Sequence, residues 1–231
     1  MPPLLLAVAK TDLSNDGFAS SQLQMMGLLA VMSLVPFAIM MLTSFSKIVV
    51  VLSIVRSALG TQQAPPTMVL TGLAAVLSAT VMTPTFEKMS ATARSGWVEG
   101  SDTNALMSQA TAVLLPLRDF LVKHGSAEER ARFVDLAREL RPPEEASAVS
   151  DEDLSIVVPS FVITELKEAF IIGFLVFLPF LVLDMVIANV LLALGMQTLS
   201  PSQVSLPFKI LLFVAVDGWA LISHGLILGY R

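Results

Sequence analysis

Two stretches of this chain run for 30 residues each without a single charge, Gly17 to Ser46 and Ser57 to Phe86. About 20 apolar residues in helical form are enough to cross the hydrocarbon layer of a bilayer. Each run is longer than that, and only Lys47 and Arg56 lie between them as charges. The composition agrees: 55% of the 231 residues are hydrophobic and only 14% are charged, against roughly 25% charged in ordinary soluble domains. Mean hydropathy is +0.76. A water-soluble fold of this size cannot bury so much apolar surface in one core.

The charges are concentrated instead. Residues 87–160 hold 21 of the 33 charged side chains, 8 basic and 13 acidic. The chain therefore reads as apolar, polar, apolar. We expect an all-α membrane-type protein with three parts: N-terminal apolar helices over 1–86, a polar helical insert over 87–158, and a long helical hairpin over 159–231. Four apolar spans fit. The first covers about 22–42, and apolar character resumes from Ile48 to Val55, giving either one long helix or a helix and a separate re-entrant piece. The second covers about 67–86 and ends near Pro84. The third begins at Pro159-Ser160, with Ser160 as its N-cap, and is interrupted by Gly173 and Pro179. The fourth covers about 203–229, after a turn from Gly195 to Pro201. Lys47 and Arg56 without a nearby acid place the first connection in the cytoplasm, and the insert and both termini on the other side. Ala7-Val8-Ala9 has the form of a signal-peptidase site. The apolar stretch before it is short and no positive residue precedes it, so the first apolar helix is expected to direct insertion.

Within the insert, Leu106, Ala110, Val113, Leu117 and Leu121 recur at helical spacing. Ser126-Ala127-Glu128-Glu129 matches a capping box, with the Ser126 hydroxyl bonding forward and Glu129 reaching back. Phe133, Leu136, Ala137 and Leu140 form the apolar stripe of the helix that follows, and Arg141-Pro142-Pro143 ends it.

Charges inside apolar segments cost at least about 2.5–3.5 kcal/mol each at the bilayer centre, so they are paired or face a protein or water interior. This chain keeps Lys47, Arg56, Glu165, Lys167, Glu168, Asp184, Lys209 and Asp217. Asp184 lies about 16 Å down the third span from Gly195, and Lys209 about 12 Å down the returning span from Pro201. In an antiparallel hairpin the two reach similar depth. They form a salt bridge within the hairpin or between copies, or else each is solvated separately in a wet interior. Glu165, Lys167 and Glu168 fall in the first two turns of the third span as read here. The acids there either answer the helix dipole or meet a basic residue of a partner.

Several chemistries are excluded. With no cysteine there is no disulfide, thiolate metal site or cysteine nucleophile. His124 and His224 stand 100 residues apart and cannot form a histidine-rich metal site. No phosphate-binding loop, HExxH or GxSxG motif occurs. No catalytic residue, metal or cofactor is expected, and the net charge of −5 gives no footprint for nucleic acid.

Thr43-Ser44-Phe45-Ser46-Lys47-Ile48 leads into Leu59-Gly60-Thr61-Gln62-Gln63-Ala64-Pro65-Pro66. Later come Thr164-Glu165-Leu166-Lys167-Glu168-Ala169-Phe170-Ile171-Ile172-Gly173-Phe174, Leu194-Gly195-Met196, Ser205-Leu206-Pro207-Phe208-Lys209 and Val216-Asp217-Gly218-Trp219. In this order and spacing they resemble the FliP/SctR family of type III secretion export gates, over about residues 22–225. The resemblance implies a core subunit in five copies, joined by FliQ/SctS-like and FliR/SctT-like small membrane subunits. FlhB/SctU-like and FlhA/SctV-like export components would stand nearby. It implies a closed conical pore in the bacterial inner membrane, with much of the multi-pass assembly on the periplasmic side, passing unfolded proteins. The loop between the last two spans would supply a pore gasket. Family members often carry consecutive methionines there, whereas this chain has Met196, Gln197 and Leu199, a more polar mixed ring. Asp184 and Lys209 match charged family positions, and Glu165 matches one tied to ring assembly. Flagellar members usually begin with a cleavable signal peptide, so the N-terminus here favours the injectisome branch. Different in class are a small polytopic ion or solute transporter, which internal repeats would support, and a scaffold whose residues never line a path.

Overall fold

The computed structural model describes residues 25–27, 29–30, 32–61, 64–96, 103–196 and 198–231. Expectations for Ala7-Val8-Ala9 and Gln197 fall outside these, as does the side chain of Leu106. The chain forms two compact units, 1–40 and 41–231. The first contributes helix α1, Met25–Met41, which contains Pro36 and in which the Ser33 hydroxyl donates to the Ala30 carbonyl at 2.7 Å. The second holds α2 (Phe45–Ala58), α3 (Thr67–Gly96), α4 (Thr103–His124), α5 (Ala127–Leu140), α6 (Pro143–Ala146), α7 (Leu154–Ala193), α8 (Pro201–Ala215) and α9 (Gly218–Leu228). No strand occurs among the described residues. By length and composition α3 and α7 could each cross a membrane, or up to four spans could if α1 with α2, and α8 with α9, each count as one.

Helix α2 is the centre of the second unit. Ile48, Val51, Leu52 and Val55 recur at helical spacing and are wholly buried. They share one buried cluster with Leu70, Ala74 and Leu77 of α3, Ala169 and Phe180 of α7, Phe213 of α8, and Ile222 and Leu226 of α9. The α2–α7 contact is the most extensive. It depends on Gly173, where an added Cβ would lie 2.4 Å from Ile54 Cδ1 and 3.0 Å from its Cγ2. A second cluster joins α3, α4, α7 and the C-terminus through Met82, Phe120, Leu121, Val157, Phe161 and Tyr230. A third, small one holds Val134, Val149 and Ile156.

Helix α7 is one element of 40 residues, about 60 Å long. It starts five residues before Pro159, with Asp153 rather than Ser160 at its N-cap. Ser160 is fully buried and donates its hydroxyl to the Val157 carbonyl at 2.9 Å. Pro159 and Pro179 each cost one backbone bond and leave the carbonyls of Ser155 and Leu175 without their usual partners, yet neither ends the helix. Likewise α3 continues ten residues beyond 86, through Pro84. Helices thus run through both expected boundaries, 86/87 and 158/159. The fourth apolar segment does break: α8 and α9 meet at 59°, around Asp217 in the left-handed region at φ 50°.

Two local expectations for the insert are corrected. The capping box does not form, because Ser126 makes no side-chain cap bond. Its backbone N–H donates instead to Thr164 Oγ1 of α7 at 3.0 Å, and Glu129 turns to Arg132 and Lys167. The apolar stripe of α5 is also rotated: Val134 is buried with Phe133 and Ala137 beside it, while Leu136 and Leu140 are 48% and 77% exposed. Docking on α7 outweighed the local pattern in both cases.

If the close α2–α7 approach holds the core, Gly173→Ala should lower stability by about 1–3 kcal/mol through overpacking, and Ile54→Val in the same chain should restore part of the loss. Thermal unfolding of the detergent-solubilised chain measures both. A Gly173→Ala protein as stable as the parent would mean that Ile54 moves aside freely.

Candidate functional site

The most polar part of the core lies where α2, α7 and the C-terminus meet. Lys47 is 4% exposed and Glu165 fully buried. The Lys47 ammonium lies 2.9 Å from Glu165 Oε1 and 2.7 Å from Glu168 Oε2. It also sits 4.2 Å from the centre of the Tyr230 ring, within range of a cation–π attraction. The Tyr230 hydroxyl donates to the other oxygen of Glu165, Oε2. Glu165 and Glu168, one turn apart, therefore share one lysine of the same chain, and Glu168 remains half exposed. The dipole reading fails for these acids because α7 starts at Leu154, eleven residues before Glu165. Lys167 points elsewhere, to Glu129 of α5 at 3.6 Å.

Aromatic rings close the other side of Tyr230. His124 lies 5.0 Å from it edge-on, and Phe120 stacks at 6.1 Å. Burial first, and then the nearby positive charges of Lys123 and Lys47, hold the His124 pKa down at about 4, with Glu168 opposing. At neutral pH the imidazole is uncharged.

A second node stands at the other end of α2. The Lys209 ammonium lies 2.6 Å from Asp184 Oδ2 and donates to the Ala58 carbonyl at 3.2 Å. Ser205, one turn before Lys209, donates to Asp184 Oδ1 at 2.5 Å. The structure brings Asp184 and Lys209 together within one chain. It adds a role that the hairpin arithmetic does not contain, since Lys209 also satisfies a carbonyl at the C-terminal end of α2, where a cation suits the helix dipole. Gly60, at φ 75°, lets the chain turn there; a Cβ on it would approach Leu206 Cδ1 at 3.7 Å and Lys209 Nζ at 3.9 Å.

The remaining residues singled out from sequence lie apart from both nodes. Arg56 donates to Thr67 Oγ1 at 2.9 Å, across the turn between α2 and α3. Asp217 stands at the α8–α9 break and accepts the Leu221 N–H through its carbonyl at 3.0 Å. Met196 and Leu199 are 45% and 43% exposed at the tip of the α7–α8 hairpin. Gly195, at φ 73°, ends α7: its N–H bonds the Leu192 carbonyl at 3.0 Å, and the Met196 N–H bonds that of Leu191 at 2.9 Å. This paired arrangement is the common left-handed helix stop. Sequence reasoning missed Tyr230, His124 and Ser205. The available signals were that Tyr230 is the only tyrosine and that Ser205 shares a helical face with Lys209.

Removing Lys47 would leave two carboxylates without their cation, one of them fully buried. Lys47→Met should cost about 3–5 kcal/mol, whereas Lys47→Met with Glu165→Leu should recover much of that. At the second node a charge exchange is not neutral: Lys209→Asp sets a carboxylate against the Ala58 carbonyl, so the reversed pair should stay destabilised while Lys209→Arg is tolerated. Unfolding in detergent decides both, and a Lys47→Met chain of parental stability would contradict the first. For His124, the folded value of about 4 lies below the unfolded 6.5. The unfolded chain then binds the proton more readily, so stability is lost as pH falls from about 6.5 towards 4. His124→Phe should flatten that part of the stability–pH curve, and an unchanged slope would assign it to other groups.

Comparison with known proteins adds identity to this geometry. Residues 28–226 match the FliP family. The chain is 47% identical over 201 residues to the hypersensitivity response secretion protein HrcR of Ralstonia nicotianae, covering 86% of this chain and 93% of that one. It is 43% identical over 202 residues to the Yop proteins translocation protein R of Yersinia pestis, covering 87% and 93%. With the flagellar biosynthetic protein FliP of Caulobacter vibrioides it shares 39% over 235 residues, covering 100% and 86%. On this evidence the chain belongs to the FliP family.

Proposed function

We propose that this chain is a core subunit of a type III secretion export gate, of the branch that delivers proteins to other cells rather than builds flagella. The carrying observation is the family match across 28–226, together with relatives whose names tie them to secretion and translocation. The chain is a membrane component of an export apparatus, and its part there is structural rather than enzymatic. In finer detail, five copies assemble with FliQ/SctS-like and FliR/SctT-like companions, beside FlhB/SctU-like and FlhA/SctV-like components. Together they form a closed pore that passes unfolded proteins across the bacterial inner membrane, with much of the assembly on the periplasmic side.

The structure supports this reading in two ways. The distal half of α7 exposes Phe174, Leu175, Val182, Met185, Val186 and Leu192, an apolar surface too large for a lone soluble monomer and suited to lipid or neighbouring subunits. The charges of the apolar segments are mostly tied up within the chain, as at Lys47 and Lys209. The hairpin tip is thereby left to uncharged residues. Met196, Gln197 and Leu199 form the seal at that tip. Glu165 acts on assembly by fixing α2 to α7, while Glu168 and Lys167, each about half exposed, face adjoining subunits. The flagellar reading stays second: the flagellar FliP of Bacillus subtilis is 42% identical over 215 residues.

Co-expression with the two small companions and native mass spectrometry tests the assembly. A core of five 24.8-kDa chains, about 124 kDa before companions, is expected, and a monomer that ignores them would return the transporter reading. For the seal, Met196→Ala should raise resting ion leak in cells carrying the assembled gate. An unchanged leak would remove Met196 from that role. Rescue of a secretion-null rather than a flagellar-null strain separates the two branches.

A further inference from the structure

Between α3, α4 and the C-terminus lies a pocket of about 330 Å³ that shares only Tyr230 with the ion-pair nodes. Its wall carries Lys88 from α3, Asp119 and Lys123 from α4, and the aromatic side formed by Phe120, His124 and Tyr230. The volume falls at the lower end of those that hold small molecules. Three features narrow the occupant. First, Lys88, Asp119 and Lys123 are all exposed, and among the described residues none of them enters an ion pair. Two free cations and one free anion therefore face a single concavity. Second, that aromatic side is fixed but offers no open ring face, since Tyr230 carries the Lys47 ammonium and the stacked Phe120; it bounds the pocket without drawing a cation, which leaves the charged side chains to select the ligand. Third, the pocket lies where α3 leaves its charge-free run: Phe86 closes that run and Lys88 is the first basic residue after it. Headgroup phosphates stand at that level when α3 spans a bilayer.

A lone phosphate would answer the lysines but be repelled by Asp119. A lone amine would do the reverse. A ligand with both signs a few atoms apart satisfies all three side chains. We propose that this pocket binds a phosphoethanolamine group, its phosphate on Lys88 and Lys123 and its ammonium on Asp119. The group is supplied either by a phosphatidylethanolamine headgroup or by a soluble phosphoethanolamine compound. The site does not rest on the export reading: it follows from the side chains of the pocket and, for a lipid source, from α3 as a membrane span.

The test uses the full chain in mild detergent, titrated separately with short-chain phosphatidylethanolamine, short-chain phosphatidylglycerol and O-phosphoethanolamine, and followed by native mass spectrometry. One saturable phosphatidylethanolamine per chain is expected, weakened about tenfold or more by Lys88→Gln with Lys123→Gln. Asp119→Asn should shift preference towards phosphatidylglycerol, which has no ammonium. Both lysines and Asp119 are surface residues, so these variants should fold, and an unchanged unfolding temperature verifies it. Binding of O-phosphoethanolamine as tightly as of the lipid identifies a soluble source, and lipid binding alone identifies the membrane; both bear out the pocket. Equal binding of the two lipids by the parent chain, no saturable binding of any probe, or binding untouched by the double lysine variant overturns it.

Discussion

A lysine ammonium can stay charged in an apolar interior only if carboxylates and hydrogen bonds replace the water it has lost. Lys47 meets that condition with two acids of α7 and the face of Tyr230. Lys209 meets it with Asp184 and a backbone carbonyl of α2. One lysine lies near the start of α2 and the other reaches its end, so the helix is pinned at both termini. The apolar residues between them set how closely it lies on α3 and α7, but apolar packing alone tolerates sliding. Two directional charge contacts, separated by nearly the length of the helix, fix its register.

The same logic explains why the prolines of α3, α4 and α7 do not break their helices. Each removes one hydrogen bond, a loss that packing can outweigh when the neighbouring turns are held. The true break falls at Asp217, where backbone geometry changes rather than a single donor being lost. Gly218 follows with the Phe213 ring so close that an added Cβ would lie 2.3 Å from it. That corner seats Phe213 against Trp219, edge to face at 5.1 Å.

The helical class of the chain was legible because charge-free runs and helical spacing are local properties. The depth match of Asp184 and Lys209 was legible too, since a hairpin with a marked turn leaves only rise per residue to compute. What sequence could not supply were partners far apart in the chain. Glu165 meets Lys47 across 118 positions and Tyr230 across 65, and no periodicity links them. The capping-box reading failed for a related reason. Local chemistry at Ser126 and Glu129 was sound, but α7 offered both residues other partners. Helix ends were misplaced at Pro84 and Pro159 because a stop signal was read without knowing what packs beside it.

The unequal support along α7 has a mechanical consequence. Its first half is clamped by α2, α4 and α5, and beyond Gly173 it is held along one side by α8, with Asp184 on Lys209 as the last ion pair before the tip. The hairpin of α7 and α8 is thus a cantilever, built in as far as Asp184 and overhanging beyond it. From Asp184 to Ala193 the overhang is about 14 Å long. A tilt of about 5° at the root moves the tip by about 1.2 Å over that arm. Small strains at the ion-paired base are therefore geared up at the Gly195 turn, and stiffness at the root sets how steadily the tip is held.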